Sequence, residues 1–372
     1  MRHNLLCLIV VLLVISSCTP TSRKMELIYL RDSELYTETI TLDFIDKDGN
    51  IHSPYIDAVK FGFLDSVSFK NMNPDRMVTH ITPYILDFSK KIKPYSPEYY
   101  CIYTVYYINK AIEYYNYLFH GKIDFNSQEW LKTTEVLFGD IPYLSNPKNY
   151  IFEKNSHPSP SLFAHEIGHR AFWYLEGSLG IKFKGNSITH MGLLEYFTVS
   201  FNNSPLVGED WLPVNVLRNA ELLYQYPLDD SLTLRSLLLL LEEYYPADAQ
   251  NPESNVSKYL AAFYASYDDY LDIIYDNHRG GMVLTSTLWR IREQIGQEKT
   301  DTLVAETILK LNTYMDKRIE SNPSSKDTID WFDVFYGLIQ EDNALFNGEH
   351  IQLIKDEFVR TGYLIDLVDW ID

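Results

Sequence analysis

His165 and His169 stand four residues apart in SPSLFAHEIGHRAFWYLEG, residues 159–177, and Glu166 directly follows the first. On an α-helix, positions i and i+4 share a face about 6 Å apart, so the two imidazoles can converge on one tetrahedral ion. Glu166 is rotated about 100° from His165. It falls beside such an ion rather than on it, where a general base for a metal-held water belongs. The plain alternative is three polar residues on one helix, satisfied by hydrogen bonds. Catalytic zinc keeps three protein ligands and one open position, so a third ligand is needed. Glu176 shares the face, but it lies about 10 Å further along the axis, too far to reach the same ion. Two candidates remain downstream, His190 and Glu195, in SITHMGLLEYFTVSF.

HEIGH followed by GLLEYFTVSF resembles the gluzincin pattern of the thermolysin and fungalysin groups. That resemblance implies Glu195 as the third zinc ligand on a following helix and leaves His190 as a neighbour. Those groups carry an Asp four residues after the ligand Glu, which holds a ligand His in orientation. Here the position is Val199, and Thr198 or a backbone carbonyl is the substitute at hand. Further on, YDNHRGGMVLTSTLWRI (residues 275–291) resembles the fungalysin-like segment that donates a transition-state histidine. The resemblance implies His278 in that role, with Gly281, Leu288 and Trp289 matching the surrounding motif. A donor aimed at the growing oxyanion lowers the barrier, and Asp276 is placed to orient or charge that imidazole. The plain reading of DNHRGG is a loop between helices. The resemblance to gluzincins implies that residues near 149–153 form the edge strand that binds an extended peptide by main-chain pairing.

The resemblance spans roughly residues 97–295. It implies a zinc metallopeptidase that hydrolyses peptide bonds through a zinc-bound water activated by Glu166, with peptides or proteins as substrate. The other reading is a non-catalytic, lipid-anchored binding or structural protein on the same scaffold, and Val199 is the feature that favours it.

The elements that must position these residues are legible in outline. Residues 25–89 read as strands: ELIYL, LYTETITLDFI and AVKFGFL carry β-branched and aromatic residues in partial alternation. Asp46, Asp48, Asn50 and Asp57 have calcium-loop-like spacings, but Ile51 stands where such a loop needs Gly, so DKDGN reads as a hairpin turn. Ser96 as N-cap, Pro97 at N1 and Glu98 in the first turn open a long Tyr-rich helix. EVLFGDIPYL and NYIFEK look extended. Ser159, Pro160 and Gly177 bound the helix that carries both histidines, residues 160–176, and Glu195 lies in a helix starting near Met191. Helices are also expected over SLTLRSLLLLLEEYY, SNVSKYLAAFYASYDDYLDIIY, MVLTSTLWRIREQI, DTLVAETILKLNTYMDKRI, TIDWFDVFYGLIQ and HIQLIKDEFVRTGYL. The fold class is therefore α+β. A β-rich region over 18–95 precedes a thermolysin-like, mainly helical catalytic domain over 96–372.

The chain has 372 residues and a formal net charge of −19. A chain this acidic excludes nucleic acid as a partner, since phosphate contacts need clustered Lys and Arg. The leader MRHNLLCLIVVLLVISSCTP combines Arg2, an apolar stretch from Leu5 to Ile15 and small residues, and reads as a signal peptide over 1–17. Its end, Ile15-Ser16-Ser17-Cys18, resembles the lipobox of bacterial lipoproteins. That implies cleavage before Cys18, lipid on its sulfur, and an exported protein held on the outer side of a bacterial membrane. Cys101 is then the remaining cysteine, so the expectation is no internal disulfide.

Overall fold

The computed structural model describes residues 24–31, 34–45, 51, 53–69, 77–88, 91–138, 149–152, 159–183, 188–207, 219–221, 270–321 and 327–363. The leader with Cys18, the turn residues Asp46, Asp48 and Asn50, the segment SLTLRSLLLLLEEYY and most of SNVSKYLAAFYASYDDYLDIIY lie outside these residues.

The described residues form an α+β arrangement in which strands come early and helices late. Strands β1 (Lys24–Arg31) and β2 (Glu34–Thr41) pair antiparallel over their full length, Lys24 opposite Thr41 and Arg31 opposite Glu34. An isolated antiparallel bridge pairs Ile45 with Ile51. Four further strands form a mixed sheet: β3 (Ala58–Phe69), β4 (Met77–Tyr84), β5 (Thr133–Phe138) and β6 (Asn149–Phe152), in spatial order β4-β3-β5-β6. β3 and β4 run antiparallel, whereas β3–β5 and β5–β6 run parallel. A parallel neighbour needs a crossover, and helix α1 (Pro97–Leu118) lies within the connection from β4 to β5.

The side chain of Ser96 accepts the Tyr99 amide and Pro97 takes the first turn of α1, as the sequence predicts. Part of the Tyr content lies in the core. Tyr99, Tyr100, Tyr103 and Tyr115 on this helix are fully buried. Their hydroxyls find partners where the packing allows it: Tyr99 donates to the Ile28 carbonyl and accepts the Ile28 amide, docking the β1–β2 hairpin on α1. The hydroxyls of Tyr106 and Tyr107 both donate to Glu38 of β2.

A short helix α2 (Glu129–Lys132) leads into β5. The histidine-bearing helix is α3 (Pro160–Leu179), followed by α4 (Ile188–Asn202), α5 (Tyr270–Ile295), α6 (Gln297–Leu309), α7 (Leu311–Ser321), α8 (Trp331–Phe346) and α9 (Ile351–Arg360). Three expectations are corrected here. α3 does not end at Gly177: it runs to Leu179, and Gly180 takes the left-handed capping conformation at φ 64°. DNHRGG is not a loop, since residues 270–295 form one helix. DTLVAETILKLNTYMDKRI is two helices rather than one, parted at Lys310.

Candidate metal centre

Helix α3 starts where a proline and a capping hydroxyl put it. Ser159 has extended backbone angles and accepts the Ser161 amide at 3.3 Å, satisfying one of the amides a helix start leaves open. Six residues on, His165 and Glu166 are buried at 6% and 7% exposure. One helical turn separates His165 from His169, and their Nε2 atoms lie 3.2 Å apart. Two nitrogens that each reach a zinc ion at about 2.0–2.1 Å in tetrahedral geometry are separated by about 3.3 Å. The imidazole pair therefore fits that donor role.

Helix α4 runs antiparallel to α3 and brings the third group. Its Glu195 is fully buried, and its Oε2 lies 3.4 Å from Nδ1 of His165. The close approach depends on Gly168. A Cβ at that position would fall 2.3 Å from Leu194 Cδ1 and 2.3 Å from the Tyr115 hydroxyl oxygen. With only a hydrogen in that place, α4 seats Leu194, and beside it Glu195, against α3. Tyr115 donates to the Ala164 carbonyl at 3.1 Å, directly before His165. The two contacts of His165 use opposite ring nitrogens, Nε2 toward His169 and Nδ1 toward Glu195. Among the described residues, no three His, Cys, Asp or Glu side chains share one point at metal-ligand distance. A zinc ion held by all three needs the His165 ring or the Glu195 carboxylate turned from its present rotamer.

His190 and Glu176 form their own pair. His190 Nδ1 lies 3.1 Å from Glu176 Oε1, and the imidazole is packed by Phe172 and Phe183 at 5.2 and 5.3 Å. Its ring stands 5.9 Å from that of His169. Glu176 thus lies off the His165–His169 pair, as the axial distance requires, and His190 is a neighbour of that pair.

Val199, where the resembled pattern has an Asp, is fully buried and packs with Val207, Ala220, Met282 and Trp289. Thr198 does not replace that Asp: its hydroxyl donates to the Leu194 carbonyl of its own helix. The acid that grips α4 comes from elsewhere in the chain. Asp301 on α6 is buried and accepts the Ser200 hydroxyl at 2.6 Å, Tyr196 at 2.7 Å and Tyr114 at 3.0 Å. Burial raises its pKa, while the three hydroxyls and Arg292 pull it back down. Nothing in the local sequence around Asp301 signals this, because all of its partners lie on other helices.

Helix α5 runs parallel to α4, and the two meet at glycines. A Cβ on Gly192 would lie 2.8 Å from the Gly281 carbonyl oxygen, and Thr285 donates to the Gly192 carbonyl at 3.0 Å. Asp276 and His278 are on α5, and their side chains lie outside the described residues. The backbone register still places His278. It precedes Gly281 by three residues, as Glu195 follows Gly192 by three, so their levels differ by about 9 Å along the helix axes. That is the end of α4 carrying His190, beside His169.

β6 borders the zinc-helix candidate on another side. Tyr150 is fully buried, and its ring stacks on Phe163 of α3 at 4.9 Å. Burial raises its pKa well above the usual phenol value; the nearby Glu166 adds to this and Arg170 opposes it. Arg170 in turn stacks on Trp173 at 4.7 Å. Neither Tyr150 nor Arg170 was singled out by spacing, since neither belongs to a local motif. Comparison of the chain with protein-family models gave no match, and comparison with curated proteins gave none.

Proposed function

We propose that this chain is a zinc-dependent metallopeptidase of the gluzincin kind, with a thermolysin-like catalytic domain. His165, His169 and Glu195 are its zinc-holding residues. The observation that carries the proposal is the pair of buried imidazoles with Nε2 atoms 3.2 Å apart, on the turn that bears Glu166, with buried Glu195 at 3.4 Å from His165. Zinc supplies Lewis acidity there, polarising a peptide carbonyl and making water a better nucleophile. Glu166 accepts the proton of the attacking water and delivers it to the leaving amine. His278, oriented by Asp276, hydrogen-bonds the carbonyl oxygen as negative charge grows on it. β6 offers its backbone edge to an extended peptide substrate. Lipid on Cys18 holds the protein on the outer side of a bacterial membrane. Among the described residues no helix is long and apolar enough to cross one.

The test is a soluble form lacking residues 1–18, assayed on denatured casein and a peptide library. Hydrolysis is expected, and it should be lost on zinc chelation and in Glu166→Gln. Hydrolysis that survives both sinks the mechanism.

A second reading, a non-catalytic binding or structural lipoprotein, is favoured by Val199 and by the position of Glu195 on the Nδ1 side of His165. Stoichiometric zinc with no turnover on any peptide would select it.

A further inference from the structure

Helix α4 must hold Glu195 to within a fraction of an ångström if it is to share an ion with α3. A side chain reaches about 5–6 Å from the helix axis, so a 20° rotation of α4 moves a carboxylate by about 2 Å. Metal–ligand distances tolerate roughly 0.2 Å. The helix therefore needs a rotational stop, and Val199, packed among apolar neighbours, supplies no polar anchor for one.

Asp301 has the geometry of such a stop. Tyr196 and Ser200 are one helical turn apart on α4, and both donate to the same oxygen, Oδ1 of Asp301. Two points on one face, held by one carboxylate, fix rotation as well as distance. The other oxygen, Oδ2, takes the hydroxyl of Tyr114 on α1. Tyr115, the next residue of α1, donates to the Ala164 carbonyl directly before His165. Adjacent tyrosines of one helix thus reference both ligand-bearing helices, α3 directly and α4 through Asp301. Arg292 on α5 closes the arrangement, with Nε donating to the Ser200 hydroxyl at 3.3 Å and Nη2 donating to Asn203 Oδ1.

We infer that Asp301 is a positioning residue for the metal centre: through Tyr196, Ser200 and Tyr114 it sets the rotation of α4, and with it the depth of Glu195 against His165. This rests on the metallopeptidase reading of the same site. The carboxylate touches neither substrate nor metal, and it acts through the helix.

The test measures zinc affinity by competition with a chromophoric chelator, using the full chain purified in detergent. Three variants are compared: Asp301→Asn, Tyr196→Phe and, as a stability control, Asp342→Asn. Asp342 accepts the amide of His350 and lies 2.8 Å from its Nδ1 in the C-terminal helices, outside this arrangement. Tyr196→Phe removes a single hydroxyl and keeps the inference testable if Asp301→Asn does not fold. The expected result is zinc binding weakened tenfold to a hundredfold in Asp301→Asn and Tyr196→Phe, the range seen when groups behind metal ligands are removed. The visible spectrum of the cobalt-substituted protein should shift in the same two variants. Asp342→Asn should bind zinc as the wild type does, even where its melting temperature falls as far. Wild-type zinc affinity and an unchanged cobalt spectrum in Asp301→Asn or Tyr196→Phe overturn the inference alone, and so does an equal loss in Asp342→Asn. A wild-type chain that takes up no zinc overturns the metallopeptidase reading, and the inference with it.

Discussion

Gly168 and Leu194 meet where α3 and α4 come closest, and a Cβ on the glycine would fall 2.3 Å from the leucine Cδ1. The same Cβ would fall 2.3 Å from the hydroxyl oxygen of Tyr115, which is held by its bond to the Ala164 carbonyl. Leu194 precedes Glu195, so the space left by one missing methyl group sets how near that carboxylate comes to His165. Glycine at this point of HEIGH is a packing requirement of the site.

The corresponding prediction is that Gly168→Ala is costly in a helix, where alanine normally helps. Overpacking of this kind costs about 1–3 kcal/mol, and the strain falls on the α3–α4 contact. Denaturant unfolding should show that loss, and zinc affinity should fall with it. An alanine variant as stable as the wild type would mean that the two helices separate freely and that their distance is not fixed by packing.

Glu195→Gln separates two roles for Glu195. A ligand binding only the folded state stabilises it by about 4 kcal/mol at a thousandfold excess over its Kd. The wild-type protein should therefore melt higher with zinc than with chelator. In Glu195→Gln that zinc-dependent rise should vanish, while the chelated protein stays folded, because a neutral amide is easier to bury than a carboxylate. If Glu195 only orients His165 through Nδ1, affinity falls about 10–100-fold and a reduced rise remains. Scanning calorimetry with and without zinc reads the difference.

Tyr150→Phe should raise stability. Its hydroxyl is buried with no hydrogen-bond partner among the described residues, while its ring stacks on Phe163. A buried donor left without a partner costs about 1–3 kcal/mol, and phenylalanine keeps the stacking without that cost. A higher urea midpoint with an unchanged slope is expected. A lower midpoint would show that the hydroxyl has a partner in the folded protein.

The parts of this arrangement that sequence made legible are those set by neighbours in the chain. Ser96 and Ser159 cap their helices as their types and following prolines require. The four-residue spacing of His165 and His169 places them on one face. What sequence left open was decided across the fold. Gly177 and Gly180 are equally good terminators by type. Gly180 takes the left-handed turn, and Ile181 directly after it is buried, the hydrophobic contact that commonly accompanies such a cap. Gly280 and Gly281 looked like a loop because glycine weakens helices, yet here they serve a helix crossing: Gly281 packs against Gly192, and a Cβ on Gly280 would lie 2.9 Å from Ile188. Asp301 could not be found locally at all, since its partners Tyr114, Tyr196 and Ser200 are remote in sequence.

The contribution of Asp301 to stability should depend on pH in a direction opposite to ordinary acid denaturation. Burial raises the Asp301 carboxyl above its usual 3.8, against the lowering effect of Ser200, Tyr196, Tyr114 and Arg292 around it. A carboxyl with a raised folded-state pKa binds its proton more tightly when folded. Its stabilising contribution is therefore complete below 3.8 and is lost as pH rises through the folded value. Tyr114, Tyr115 and Tyr196 are raised themselves and stay protonated across this range, so among these groups Asp301 is the one that titrates. Asparagine does not titrate. The stability gap between wild type and Asp301→Asn should be widest below pH 3.8, narrow as pH rises through the folded pKa, and level off above it. Chemical unfolding of both proteins, with zinc chelated throughout, measures it. A gap that widens with rising pH would mean that the three hydroxyls and Arg292 outweigh burial and that the Asp301 carboxyl is held below 3.8.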